Sequence, residues 1–177
     1  LRRRFLLSIG FIFATLSGAT AQTASLKPDL SAISFLVGNW SGGTENVADT
    51  GGTSRGSSTI TSEAGGSVSL RREHTDLFGA DGKPSGSFEQ IVMSYPEGGT
   101  LHADYSDGEH IIHYTSATIE PGRSVVFTTS ASPSAPSFRL SYEKTNPETL
   151  AIRFEMAPPG ETEFHPIATG TLRKGNS

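Results

Sequence analysis

Cysteine is missing from all 177 residues. Nothing in the chain can therefore form a disulfide, ligate a metal through sulfur or attack as a thiolate, and stability has to come from a packed core. Helical period is missing as well: beyond residue 35 no segment repeats its apolar residues at three- and four-residue intervals. Cations are few, with 14 Lys and Arg against 18 Asp and Glu, and they are scattered. Without a basic face, nucleic acid is not an expected partner. The glycine-rich stretches lack the Lys-Ser/Thr ending of a phosphate loop, and the many serines are read as holding no nucleophile elbow, so no catalytic residue is assigned.

What is present begins with Arg2-Arg3-Arg4, an apolar stretch at 5–14 and the small-residue site Ala19-Thr20-Ala21. This order predicts a secretory signal, 1–21, cleaved after Ala21, and an apolar run of about ten residues is too short to cross a bilayer. A retained anchor is the other reading of the same residues. Stable membrane insertion is not expected once the signal is removed, and the absence of cysteine rules out a lipoprotein linkage. Losing the three arginines with the signal takes the formal net charge from −4 to −7. The mature chain is expected to be periplasmic or secreted, with a linker and short helix over 22–34 and one domain over 35–174.

From residue 36 onward, runs of six to ten residues alternate with strong turn signals. The expected strands are 36–46, 56–63, 67–77, 86–95, 100–106, 109–118, 123–130, 136–145, 149–157 and 162–174. Gly65-Gly66, Asp81-Gly82, Gly98-Gly99, Asp107-Gly108, Pro121-Gly122 and Pro158-Pro159-Gly160 separate them. Asp107-Gly108 reads as a two-residue hairpin loop. Ten antiparallel strands in an open sheet would leave two edges bare, so the expected fold is all-β: an up-and-down antiparallel barrel of about ten strands, with a short N-terminal helix at 28–35 plugging one end. Phe138, Leu140 and Tyr142, then Leu150, Ile152, Phe154 and Met156, alternate with polar residues and mark an inner face. The stretch 46–58, rich in Gly, Ser and Thr, reads as a flap. Ten strands enclose more space than eight, so room for a ligand is the default expectation; a filled barrel acting as an interaction module is the alternative.

The single tryptophan, Trp40, follows Gly38-Asn39 at the opening of the first strand, and Thr171-Leu172-Arg173-Lys174 closes the last. These two ends resemble the calycin superfamily of lipocalins, fatty-acid-binding proteins and nitrobindin-like barrels. Blocks such as Arg71-Arg72-Glu73-His74, the stretch 101–114 and Phe154-Glu155-Met156-Ala157-Pro158-Pro159-Gly160 are similar to bacterial lipocalin-like proteins without a known activity. The resemblance implies structural roles for Gly38, Trp40 and Arg173, with Arg173 or Lys174 lying over the indole. It also implies a small apolar ligand, and an inward arginine and tyrosines at its head group as in fatty-acid-binding barrels. The nitrobindin likeness implies haem, held through His165 on the last strand.

Four of the five histidines lie between residues 74 and 113. A two-residue loop at Asp107-Gly108 would set His102 opposite His113, with Asp104 on the same face, a set able to contact a ligand, hold a divalent metal or simply sit in solvent. Arg72 and His74 share a face with Val68 and Leu70, which alternation points inward unless a bulge intervenes. The candidate ligand-binding residues are therefore Arg72, His74, His102, His113, Tyr114 and Tyr142.

Overall fold

The computed structural model describes residues 25–47 and 51–175; the predicted signal lies outside them. A 3-10 helix, Pro28–Leu36, comes first. Proline is preset for the first helical position, and a turn of three residues stacks every third side chain. Leu30, Ile33 and Leu36 are so stacked, and all three are buried. No helix among the described residues is long and apolar enough to cross a membrane.

Eleven strands follow: β1 (Gly38–Val47), β2 (Thr53–Glu63), β3 (Val68–Phe78), β4 (Pro84–Glu97), β5 (Thr100–Ser106), β6 (Ile111–Tyr114), β7 (Ser116–Glu120), β8 (Ser124–Thr128), β9 (Ser137–Asn146), β10 (Thr149–Ala157) and β11 (His165–Lys174). They form one antiparallel sheet in the order β6-β5-β4-β3-β2-β1-β11-β10-β9-β8-β7. Because β1 pairs with β11, the meander curls round on itself into a nearly closed up-and-down barrel.

The eleventh strand arises where the strand expected at 109–118 divides. Ile112 and Tyr114 point inward, but so do Ala117 and Ile119, and the intervening Thr115 and Ser116 are both exposed. This slip of one residue breaks the two-residue period, so β6 pairs with β5 while β7 pairs with β8. The Thr115 N–H donates to the Thr128 carbonyl, 3.1 Å, so a single bent run joins the two flanks. The flap expected at 46–58 is mostly strand: β2 already begins at Thr53, paired with Phe78. Residues 48–50 lie outside those described.

Trp40 is 2% exposed, and its Nε1–H donates to the Leu36 carbonyl at 2.7 Å, tying the barrel's first strand to the helix. The covering cation is Lys174, which pairs with Trp40 in register and holds Nζ 5.7 Å from the ring centroid. Arg173 does not fill that role; it pairs with Ser41 and is exposed, because the basic residue over the indole must share its register. Gly38 adopts φ 143, and a Cβ there would meet Lys174 Cε at 3.4 Å. The inner faces read from alternation in β9 and β10 are present: Leu140, Tyr142 and Leu150 are buried in the core, with Phe138, Ile152 and Phe154 packed against it.

Candidate functional site

The barrel is not filled to its walls. A cavity of about 500 Å³ lies inside, within the range usual for small-molecule sites. Leu77, Phe88, Leu140, Ile152, Phe154 and Leu172 supply apolar wall from β3, β4, β9, β10 and β11. Phe154 stacks on Phe138, centroids 5.7 Å apart, and on Tyr105, 6.3 Å. Between β3 and β10, Gly42, Gly43, Gly56 and Gly170 of β1, β2 and β11 line the cavity with bare backbone. A Cβ at Gly42 or Gly43 would run into the Thr171 or Ser54 carbonyl, so close approach of β2, β1 and β11 requires glycine, and the same absence of side chains leaves volume inside.

A polar cluster sits on the wall. Arg71, on β3, is 6% exposed and donates through Nε to Ser58 Oγ, 2.9 Å, and through Nη1 to the Tyr142 hydroxyl, 3.0 Å. Its third partner is the Glu73 carboxylate, an ion pair through Nη2. Thr75 donates its hydroxyl to Glu73 Oε1 at 2.8 Å. A buried guanidinium needs such compensation, and here it is complete within the protein. Tyr105 donates to Asp107 Oδ2 at 3.2 Å, and burial, then the Asp107 charge, pushes its phenol far above the ordinary value. Burial opposes ionisation of Asp107, but donation from the backbone of His110 and Glu109, the His110 ring and the Tyr105 hydroxyl prevails and brings its carboxyl down to about 2. Tyr114 is 1% exposed and borders the cavity, its ring tilted on Phe127 with centroids 6.2 Å apart. Its hydroxyl has no hydrogen-bond partner among the described residues.

The six candidate residues are therefore divided. Tyr114 and Tyr142 point inward as expected. Arg72 and His74 do not: both are exposed on the outer face, Arg72 toward Glu63 at 3.6 Å and His74 against Asp76 at 3.2 Å. The inner face of β3 carries Ser69, Arg71 and Thr75, all buried, while Val68 and Leu70 are only half-buried outside. Polar residues line the lumen here, which inverts the usual sign of the alternation. The signal that could have found the pair is Arg71 and Glu73 themselves, an arginine with a carboxylate two residues on and hence on its own face.

His102 and His113 share an outer face but are not paired. Ser106 lies opposite Ile111, so four residues, 107–110, make the connection and the register moves on by two. Asp104 thereby faces His113, its Oδ1 accepting from Nδ1 at 2.7 Å, and Asp104 also receives the Tyr95 hydroxyl at 3.2 Å. His102 stacks on Tyr95 instead, centroids 5.9 Å apart. No group of three or more His, Asp or Glu among the described residues is placed to hold a metal ion. His165 is exposed at the start of β11, and the cavity wall includes no histidine, so a haem in the lumen would not meet His165 or any other imidazole from that wall.

The serines require one correction. Gly52-Thr53-Ser54-Arg55-Gly56 spells the Gly-x-Ser-x-Gly pattern, and Ser54 borders the cavity. The segment runs along extended β2 rather than turning from strand into helix, and Ser54 Oγ accepts the Thr44 N–H at 3.1 Å with no imidazole on the cavity wall to deprotonate it. Comparison with protein-family models finds none that matches this chain, and comparison with curated proteins finds no relative.

Proposed function

We propose that this chain is an exported, lipocalin-like barrel of the calycin type that binds a small, largely apolar molecule in its lumen, with no catalytic activity assigned to it. The observation carrying this reading is the cavity of about 500 Å³, walled mainly by aliphatic and aromatic side chains and fitted with a few buried polar groups. That combination is the usual build of a small-molecule site. Export is supported by the order of the first 21 residues, basic, apolar, then small. The calycin reading rests on Gly38-Asn39-Trp40 under a cation from the last strand, within a barrel compatible with that superfamily.

Native mass spectrometry of the chain isolated from the periplasm of an expressing bacterium tests the reading directly. The expected result is a polypeptide beginning at Gln22 that carries an adduct on the order of a few hundred daltons, released on denaturation. A protein that bears no adduct and binds none of a panel of apolar dyes and lipids would overturn it. A Soret band on the purified protein would replace it with the haem reading.

A further inference from the structure

Two polar atoms on the wall of the proposed lumen make no hydrogen bond among the described residues, Glu73 Oε2 and the Tyr114 hydroxyl, and of these Glu73 Oε2 is answered by the Arg71 guanidinium in an ion pair. Arg71 is occupied by Ser58, Tyr142 and Glu73; Glu73 by Arg71 and Thr75; Tyr105 by Asp107. Tyr114, 1% exposed on the cavity wall, keeps a hydroxyl with neither a hydrogen bond nor an ion pair among the described residues. A buried donor in that condition carries its whole desolvation penalty, and an occupant offering a lone pair would remove it. The charges around the cavity limit what that occupant can be. Its one arginine is already neutralised by Glu73, while Asp107 and Glu109 add two further carboxylates to the wall. An anionic head group would find no free cation and would face like charge.

We infer that the lumen takes an apolar molecule bearing an uncharged hydrogen-bond acceptor, such as a ketone, ester or amide carbonyl, seated on the Tyr114 hydroxyl, and that it discriminates against carboxylates. Burial, then the neighbouring Tyr142 and Tyr105, holds the Tyr114 phenol far above its ordinary value, so it remains a donor at every physiological pH. The inference rests on the container reading and specifies the chemistry of that container's cargo.

The test uses the mature chain and N-phenyl-1-naphthylamine, a fluorescent apolar probe whose only strong polar group is a donor. Displacement of the dye is measured for 2-decanone and decanoate on the wild type and on Tyr114→Phe, which deletes the hydroxyl and keeps the ring. The wild type is expected to bind 2-decanone about tenfold more tightly than decanoate, and Tyr114→Phe to weaken 2-decanone about tenfold once the dye's own affinity for each protein is taken into account. Decanoate that binds as tightly as the ketone, or a ketone affinity unmoved in Tyr114→Phe, overturns the inference while dye binding leaves the container reading standing. Calorimetry showing that neither the dye nor any decyl compound binds overturns the container reading and this inference with it. The wild-type ranking decides the question even if the variant fails to fold.

Discussion

Arg71 and Glu73 illustrate how much a single step along a strand decides. Two residues apart, they project from the same face, and the carboxylate compensates a guanidinium that would otherwise be stranded in the wall. One residue further on, Arg72 has Glu63 beside it in solvent, where an ion pair contributes about 0–1 kcal/mol. Tyr142 is legible because β9 separates apolar from polar residues, whereas Tyr114 is reached only through the likeness to fatty-acid-binding barrels, its strand carrying Ile111 on the outer face. The two faces of β3 do not separate in that way, and hydrophobic alternation alone then points to the wrong one. Asp107 offers a test at this scale. Its carboxyl is drawn down from 3.8 to about 2 in the fold, so the ionised form is favoured there. A depressed carboxyl contributes stability that is complete above its unfolded value and lost as pH falls through the folded one. Thermal melts of the wild type should therefore decline between about pH 4 and pH 2 more steeply than those of Asp107→Asn. Parallel curves over that window would show that the loop hydrogen bonds do not favour the ionised carboxylate.

Among the strands, turn chemistry was the most legible feature and side-chain capping the least. Gly98 and Gly99, at φ 58 and 82, join Glu97 to Thr100 in a two-residue loop that demands a left-handed backbone twice, which glycine supplies without strain. Asp107-Gly108 looked like the same device, but the aspartate accepts the N–H groups of Glu109 and His110 at 3.0 and 2.7 Å and props the loop open to four residues. Everything downstream in β6 shifts by two, which is why His113 meets Asp104 and not His102. The glycine flank of the cavity gives the matching prediction for β1. At Gly43 a methyl group would overlap the Ser54 carbonyl of β2, a backbone atom that cannot rotate aside. Gly43→Ala is expected to lose about 1–3 kcal/mol in urea denaturation, whereas Gly82→Ser, in the β3–β4 loop where a Cβ meets nothing within 4 Å, should lose less, its cost confined to the positive φ. Equal losses would remove close strand approach as the reason for glycine at 43.

At the scale of the whole molecule, the two ends of the barrel are built differently. The helix sits where β1 begins: Lys27 N–H reaches the Gly66 carbonyl before β3, Gly122 N–H before β8 reaches the Ala32 carbonyl, and Trp40 reaches back to Leu36. The cavity instead borders the other ends of β1, β3 and β4, at Thr44, Leu77 and Phe88, together with Asp107 and Glu109 of the β5–β6 connection. A ligand would accordingly enter from the side away from the helix, and the helix would act as a fixed plug whose apolar face belongs to the same core as the barrel wall. If so, the plug should not come loose independently. Ile33, 1% exposed, is the place to test this, because truncating it opens a hole between helix and barrel without touching the cavity wall. Ile33→Ala is expected to destabilise the protein by about 2–5 kcal/mol. Because Trp40 is the only tryptophan and is bonded to the helix, its emission reports the plug, while far-ultraviolet circular dichroism reports the sheet. The two signals should shift to lower urea together as one cooperative transition. Tryptophan emission moving first, with the sheet signal unchanged, would mean that the helix is a detachable lid and that the barrel stands without it.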